Sequence, residues 1–157
     1  MVAVKLPSMS QKEIDDLITE QFLCRIAFRG KDSIHIAPFQ YVFINKHLYF
    51  HFTDYGNKMS LFREGFPVCV EIEKYSSDFS KYAFVVLIGT LKPVLEEEER
   101  RRAIERMSEI GESKLSPNFL YAHGFEKERG WSAFNTEQPI LILRLENVTS
   151  IKGLRSP

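Results

Sequence analysis

Residues able to meet an anion gather in Leu48 to Glu64, where an apolar, aromatic run passes through Thr53-Asp54-Tyr55-Gly56-Asn57 into Lys58 and a short basic stretch. If that run is a strand ending at the start of a helix, the first backbone N–H groups of the helix are unpaired and carry the positive end of its dipole. Thr53 and Asn57 add side-chain donors, Gly56 lets the backbone approach a ligand closely, and Lys58 brings a full positive charge into the first turn. A cation at that end works against the dipole unless an anion faces it, so the pattern points to a bound phosphate. A plain helix start, with Asn57 as cap and Lys58 solvated, uses the same residues. His51 lies two positions before Thr53, and strand alternation puts it on the face shared by Tyr49 and Thr53. An imidazole there can hold or move a proton near neutral pH, or serve as a structural ring. His35, His47 and His123 show no zinc-ligand spacing with one another or with the cysteines. No serine elbow, paired-carboxylate helix or glycine-rich dinucleotide motif is present.

The elements that must position these residues follow from periodicity. Ser10-Gln11-Lys12-Glu13 is a capping box followed by Ile14, Leu17 and Ile18, which predicts a helix from Gln11 to Gln21. From Phe22 the period becomes two, and Gly30-Lys31-Asp32 turns the chain into Ser33 to Pro38 as a hairpin. Further strands are predicted over Phe39 to Ile44, His47 to Thr53, Pro67 to Glu73 and Tyr82 to Val94, with the basic helix ending at Gly65. Glu96 to Ile110 is a helix laced by acid-before-base pairs four residues apart, Glu96–Arg100, Glu97–Arg101 and Glu98–Arg102. Between Gly111 and Pro139 the periodicity fades into a long irregular segment containing Trp131, of the kind that is functional or lies against a partner chain. Ile140 to Leu145 returns as the last strand, and Asn147 to Gly153 closes the chain. Close-set antiparallel strands with few helices predict a small barrel.

Length and composition narrow the classes. A chain of 157 residues is expected to form a single domain, residues 1–157, with a core of its own. Its 21 basic and 21 acidic residues balance, which argues against a polyelectrolyte surface for nucleic acid or a polybasic membrane patch, so an anion site must be local. A single-strand nucleic-acid barrel with base-stacking aromatics is therefore disfavoured, although 13 Phe, 6 Tyr and 1 Trp would supply the rings. Cys24 and Cys69 sit in apolar runs and are read as buried thiols in a reducing compartment. The N-terminus has no apolar signal segment and the longest apolar run, Ala83 to Gly89, is too short to span a bilayer, so a cytoplasmic location is expected.

Several of these segments together carry a family resemblance. Ile36-Ala37-Pro38-Phe39-Gln40-Tyr41-Val42-Phe43, Leu48 to Thr53, Gly56-Asn57-Lys58, Pro67 to Glu71, Tyr82 to Thr90 and Ile151-Lys152-Gly153, in that order, resemble the pyridoxamine-5′-phosphate-oxidase-like flavin-binding split barrels, most of all the nitroimidazole-resistance branch. The resemblance implies a mainly β fold with α elements, a six-stranded antiparallel split barrel with flanking helices. It also implies a homodimer with FMN in clefts between subunits. It places the FMN phosphate on Thr53, Asn57 and Lys58, and the ring along Phe39, Gln40 and Tyr41 beside Phe50. His51 becomes the candidate catalytic residue, and Trp131 joins the candidate cofactor contacts. Where relatives often carry Tyr-Arg-Ser-Val, this chain has Tyr82-Ala83-Phe84-Val85, a ring in place of a hydroxyl. The function so implied is a flavin-dependent oxidoreductase of nitroaromatic or quinone-like compounds with a nicotinamide nucleotide as electron source. A store or sensor that holds flavin or haem without turnover is the alternative, and the fold also hosts deazaflavin.

Overall fold

The structure, a computed structural model, describes residues 4–52 and 58–157, without the side chains of Lys58 and Met59. Six strands, β1 (Leu23–Arg29), β2 (Ile34–Ile44), β3 (His47–Phe52), β4 (Pro67–Tyr75), β5 (Tyr82–Pro93) and β6 (Leu141–Arg155), close a barrel in the order β1-β2-β3-β6-β5-β4. Every pairing is antiparallel. This is the mainly β fold with flanking helices that the sequence predicts.

Strand alternation builds two cores from one wall. Phe39 and Tyr41 of β2, Leu48, Phe50 and Phe52 of β3, and Leu143 and Leu145 of β6 point into the barrel, where they meet Ile26, Val70, Ile72, Val85 and Leu87. Helix α1 (Gln11–Glu20) lays Ile14, Leu17 and Ile18 on the same core, after a start fixed by the Ser10–Glu13 capping box. On the outer side of β2, β3 and β6, the intervening residues Val42, Tyr49 and Ile142 form a second core with helix α3 (Glu97–Lys114), helix α4 (Pro117–Tyr121) and the 3₁₀ helix Lys127–Ala133. These three strands are thus apolar on both faces, and both faces are covered.

Four boundaries differ from the sequence expectation. The two segments split at Pro38 are one strand, β2, whose register with β1 runs unbroken from Leu23↔Gln40 to Arg29↔Ile34. The Tyr41 N–H donates to Phe22 O on the β1 side, so by alternation the nitrogen of Pro38 faces away from β1 and removes no bond to it. The basic helix, α2, covers only Lys58–Leu61, and Gly65 lies in a separate left-handed turn at φ 80°. The last strand is likewise one element, β6, with a register irregularity opposite Ile88 and Thr90. Helix α3 runs past Gly111 to Lys114, and the stretch read as irregular folds into α4 and the 3₁₀ helix that cover the wall. No helix among the described residues is long and apolar enough to cross a membrane.

Candidate functional site

The candidate residues divide by the face of the wall they occupy. The side chains of Phe39, Tyr41 and Phe50 are inside the barrel. Phe39 stacks on Phe52 with ring centroids 4.8 Å apart, and the Tyr41 hydroxyl donates to Ile18 O at 2.7 Å, tying β2 to α1. Burial pushes the Tyr41 phenol far above its ordinary value, so it stays neutral. What these three positions present outside the barrel is strand backbone rather than side chain.

Gln40 and His51 face outward, and both are buried, at 1% and 4% exposure; they are the buried polar side chains among the described residues. Tyr41↔Phe50 is the last pair of the β2–β3 ladder, and Gln40 and His51 each lie one residue beyond it on their strands. On its other side His51 pairs with Ile142 of β6. The Gln40 amide donates from Nε2 to Met107 O of α3 at 2.8 Å, which anchors the helix on the wall. Its Oε1 is buried and meets no donor among the described residues. A buried acceptor left so costs about 1–3 kcal/mol.

The ring of His51 is enclosed by the helical cover. Phe134 meets it edge-on at 4.9 Å between centroids, and His123, just beyond the end of α4, meets it at 5.7 Å and 62°. Behind His123 lies Phe119 at 4.5 Å, and His123 Nδ1 is 2.6 Å from Phe119 O. A carbonyl accepts, so Nδ1 carries the proton. Trp131 is 6% exposed in the second core, its Nε1 donating to Leu115 O at 3.2 Å. Its indole packs against the Cα of Gly111, where a β-carbon would lie 2.2 Å from the ring.

Neighbouring charges stiffen this face. Tyr49, on the same face as His51, donates to Glu99 of α3 at 2.7 Å, and Arg144 of β6 bridges Glu99 and Glu146. Burial opposes ionisation of Glu99, but the bonds from Tyr49 and Arg144 together outweigh it and hold the carboxyl below its ordinary value. Of the helix pairs expected from the sequence, Glu98–Arg102 forms, while Arg101 bridges Glu98 and Glu105. Arg100 instead donates to the carbonyls of Thr136, Gln138 and Ile140, and Glu96 caps the helix by accepting from the N–H groups of Glu98 and Glu99. A guanidinium has five donors, and the bare carbonyls leading into β6 use them better than one solvated carboxylate.

The structure therefore brings Gln40, His51 and the cover carrying Trp131 to one wall, and keeps Phe39, Tyr41 and Phe50 on the opposite face. Thr53 and Asn57 lie outside the described residues, as does the side chain of Lys58; β3 leads into them from His51 and Phe52. Sequence reasoning missed His123 and Phe134 as neighbours of His51. No spacing signal links them, because the contact forms only when the cover folds back on the wall. No group of three or more His, Cys, Asp or Glu is placed to hold a metal ion among the described residues.

Comparison with known proteins follows the geometry. A search of curated proteins gave no match. Among solved structures, an FAD-binding protein from Mesorhizobium loti superposes with a TM-score of 0.70 at 17% identity, covering 98% of this chain and 100% of that one. An FAD-binding protein from Mycobacterium smegmatis gives 0.64 at 18% identity, with 96% and 100% covered. A proposed 5-nitroimidazole antibiotic resistance protein from Bacteroides thetaiotaomicron gives 0.60 at 15% identity, with 96% and 90% covered. Identities this low speak for the fold alone. The profile of the family described as pyridoxamine 5′-phosphate oxidase matches residues 10–137, from the cap of α1 through the whole cover. The chain belongs to the pyridoxamine 5′-phosphate oxidase family.

Proposed function

We propose that the protein binds a flavin, FMN in the finer reading, and works as a homodimeric oxidoreductase on nitroaromatic or quinone-like compounds. The observation that carries this is the family match over residues 10–137, in a chain whose β3 leads directly into Thr53, Asn57 and Lys58. Gln40 provides a check on fit. Its buried Oε1, without a donor among the described residues, stands on the wall beside His51 and suits a ring bearing an imide N–H. The residues present thus fit the cofactor in chemical type.

A bound flavin supplies hydride and electron transfer, which protein side chains do not. The chain's own part is to bind, orient and exclude water. Thr53, Asn57 and Lys58 would hold the phosphate, the outer wall at Gln40 would orient the ring, and the His51 imidazole would hold or deliver a proton. An outward apolar row supports the dimer: Ile36, Ala27, Cys69 and Ile88 pair in register across β2, β1, β4 and β5. Ile34 and Ile36 are 79% and 67% exposed, and Arg25, paired with Glu71 and Glu73, rims the patch. A second copy covering this patch would remove that apolar surface from water.

The enclosure of His51 favours a second reading, a flavin-holding protein without turnover, because a ring this buried offers a substrate little access. Both are tested on purified protein by the visible spectrum and mass of the released ligand, by titration with riboflavin, FMN and FAD, and by anaerobic reduction with nicotinamide nucleotides. A flavin spectrum with reduction supports the oxidoreductase, and a flavin spectrum without reduction supports the store. No flavin binding at micromolar concentration overturns both.

A further inference from the structure

We propose that the cavity between α1 and the end of the barrel is a second small-molecule site, which takes an aliphatic carboxylate of medium chain length. Ile14 and Ile18 of α1, Leu48 of β3, Leu87 of β5 and Leu145 of β6 line a space of about 380 Å³. That is toward the small end of ligand pockets and suits a medium chain rather than a long one. Val148 and Ile151 of β6 also line it and are 40% and 47% exposed, so they stand where it opens to solvent. The cavity borders the start of β3, whereas the candidate phosphate residues follow the end of that strand, so the inference stands apart from the flavin reading.

Two departures from regular strand geometry shape the opening. Ile88↔Ser150 and Thr90↔Glu146 flank a bulge in which Gly89 alone opposes residues 147–149, with Asn147 left-handed at φ 50°. A β-carbon at position 89 would stand 2.6 Å from Glu146 O, so glycine lets the two strands approach there. A bulge re-aims side chains, and this one carries Val148 at the cavity. In the β2–β3 turn Asn45 and Lys46 are both left-handed, at φ 49° and 65°, as a tight two-residue hairpin turn requires. From that turn Lys46 pairs with Asp15 of α1 and lies 6.0 Å from the centre of the Phe43 ring.

The chemistry of the occupant follows from these groups. The apolar lining is aliphatic apart from Phe43, so it offers no pair of rings to hold a flat ligand. The bordering strands are joined in ladders at Phe43↔Leu48 and Leu87↔Ile151, so a peptide strand has no edge to join. The polar lining is Gln11, Asp15 and Lys46. Both Asp15 oxygens are engaged, Oδ1 accepting from Gln11 Nε2 at 3.0 Å and Oδ2 from Lys46 Nζ. Among the described residues this leaves Lys46 two of its three N–H donors and Gln11 one of its two. An apolar body with an accepting head fits that inventory, and a carboxylate head makes a charge-assisted bond to Lys46 that an ammonium cannot make.

The test is calorimetric titration of the full chain with decanoate and with decylammonium, together with NMR contacts between decanoate and the methyl groups of the protein. Decanoate should bind saturably, one per chain, at micromolar concentration, and about tenfold more tightly than decylammonium, the worth of one bond to a charged group. Its methylenes should show NOEs to the methyls of Ile14, Leu87 and Leu145, a reading that needs no variant to fold. Lys46→Met keeps the length of the side chain without its charge, and should erase the preference for decanoate over decylammonium. Val148→Trp fills the opening and should abolish binding of both. No saturable decanoate binding below a millimolar, NOEs confined to other methyls, or a preference for decanoate that survives Lys46→Met would each overturn the proposal.

Discussion

Gly111 is the position at which the second core can be tested most directly. It lies inside the 18-residue helix α3, where alanine is ordinarily the better residue by about 1 kcal/mol. Here a β-carbon would stand 2.2 Å from Cη2 and Cζ3 and 2.4 Å from Cε3 of Trp131, against a favourable carbon separation of about 3.5–4.0 Å. The indole cannot retreat freely, because its Nε1 is bonded to Leu115 O and its face packs near Phe134. Overpacking of this kind costs about 1–3 kcal/mol, and driving the indole out would cost about 3–5 kcal/mol. After the helix gain, Gly111→Ala should destabilise the protein by up to about 2 kcal/mol if the indole shifts in place, and by about 2–4 kcal/mol if it is driven out. The larger figure corresponds to a fall in melting temperature of about 4–16 °C for a chain this size. Trp131 is the single tryptophan, so its fluorescence reports the same event: the emission should shift to the red as the indole becomes wetter. Combining Gly111→Ala with Trp131→Leu should cost less than the sum of the two, since the smaller side chain removes the clash. A Gly111→Ala protein that melts at or above the parent temperature, with unchanged emission, would refute the packing argument.

Arg100→Ala removes the donor from three carbonyls ahead of β6 and should lower stability by about 1.5–3 kcal/mol, read as a lower urea midpoint at constant slope. Glu99 has a depressed folded pKa, so its stabilisation is complete above the ordinary carboxyl value of 4.5 and is lost as pH falls through the lower folded value. Glu99→Gln should accordingly flatten the acid limb of melting temperature against pH below about 4.5, and an unchanged limb would show that Glu99 carries none of it. Lys58→Ala should weaken FMN binding by about ten- to a hundredfold and riboflavin binding far less, because only FMN brings the phosphate; equal FMN affinity would move the anion site elsewhere.

The barrel was legible because period-two alternation marks each strand, and the capping box at Ser10 marks the start of α1. Where the reading stopped short, a contact distant in sequence decides the local structure. Gly111 reads as a helix end, yet α3 continues through it because the missing β-carbon admits Trp131. The stretch from Gly111 to Pro139 shows no period because its apolar residues sit on one five-residue helix and one 3₁₀ helix, each too short to repeat a pattern. The aromatic run 39–41 reads as one patch, but alternation sends Phe39 and Tyr41 inward and Gln40 outward, to different cores. The partnership of His51 with His123 spans 72 positions and has no spacing signature at all.

The two-sided wall is what makes Gln40 and His51 informative. On a barrel with one solvated face, polar residues at alternate positions would be the normal outer pattern and would say nothing. Here the outer face of β2, β3 and β6 is covered, and Val42, Tyr49 and Ile142 around the two polar residues show that apolar or amphipathic side chains suit it. Apolar residues of similar shape at 40 and 51 would avoid the desolvation of a buried amide and a buried imidazole. Packing therefore explains why the wall is covered, but not why position 40 is polar. The bond from Gln40 Nε2 to Met107 O accounts for half of one amide, and leaves its Oε1 to be explained. Gln40 and His51 each lie one residue beyond Tyr41↔Phe50, the last pair of the β2–β3 ladder. The barrel interior, filled by Phe39, Tyr41, Phe50 and Phe52, is the core that holds this wall in register.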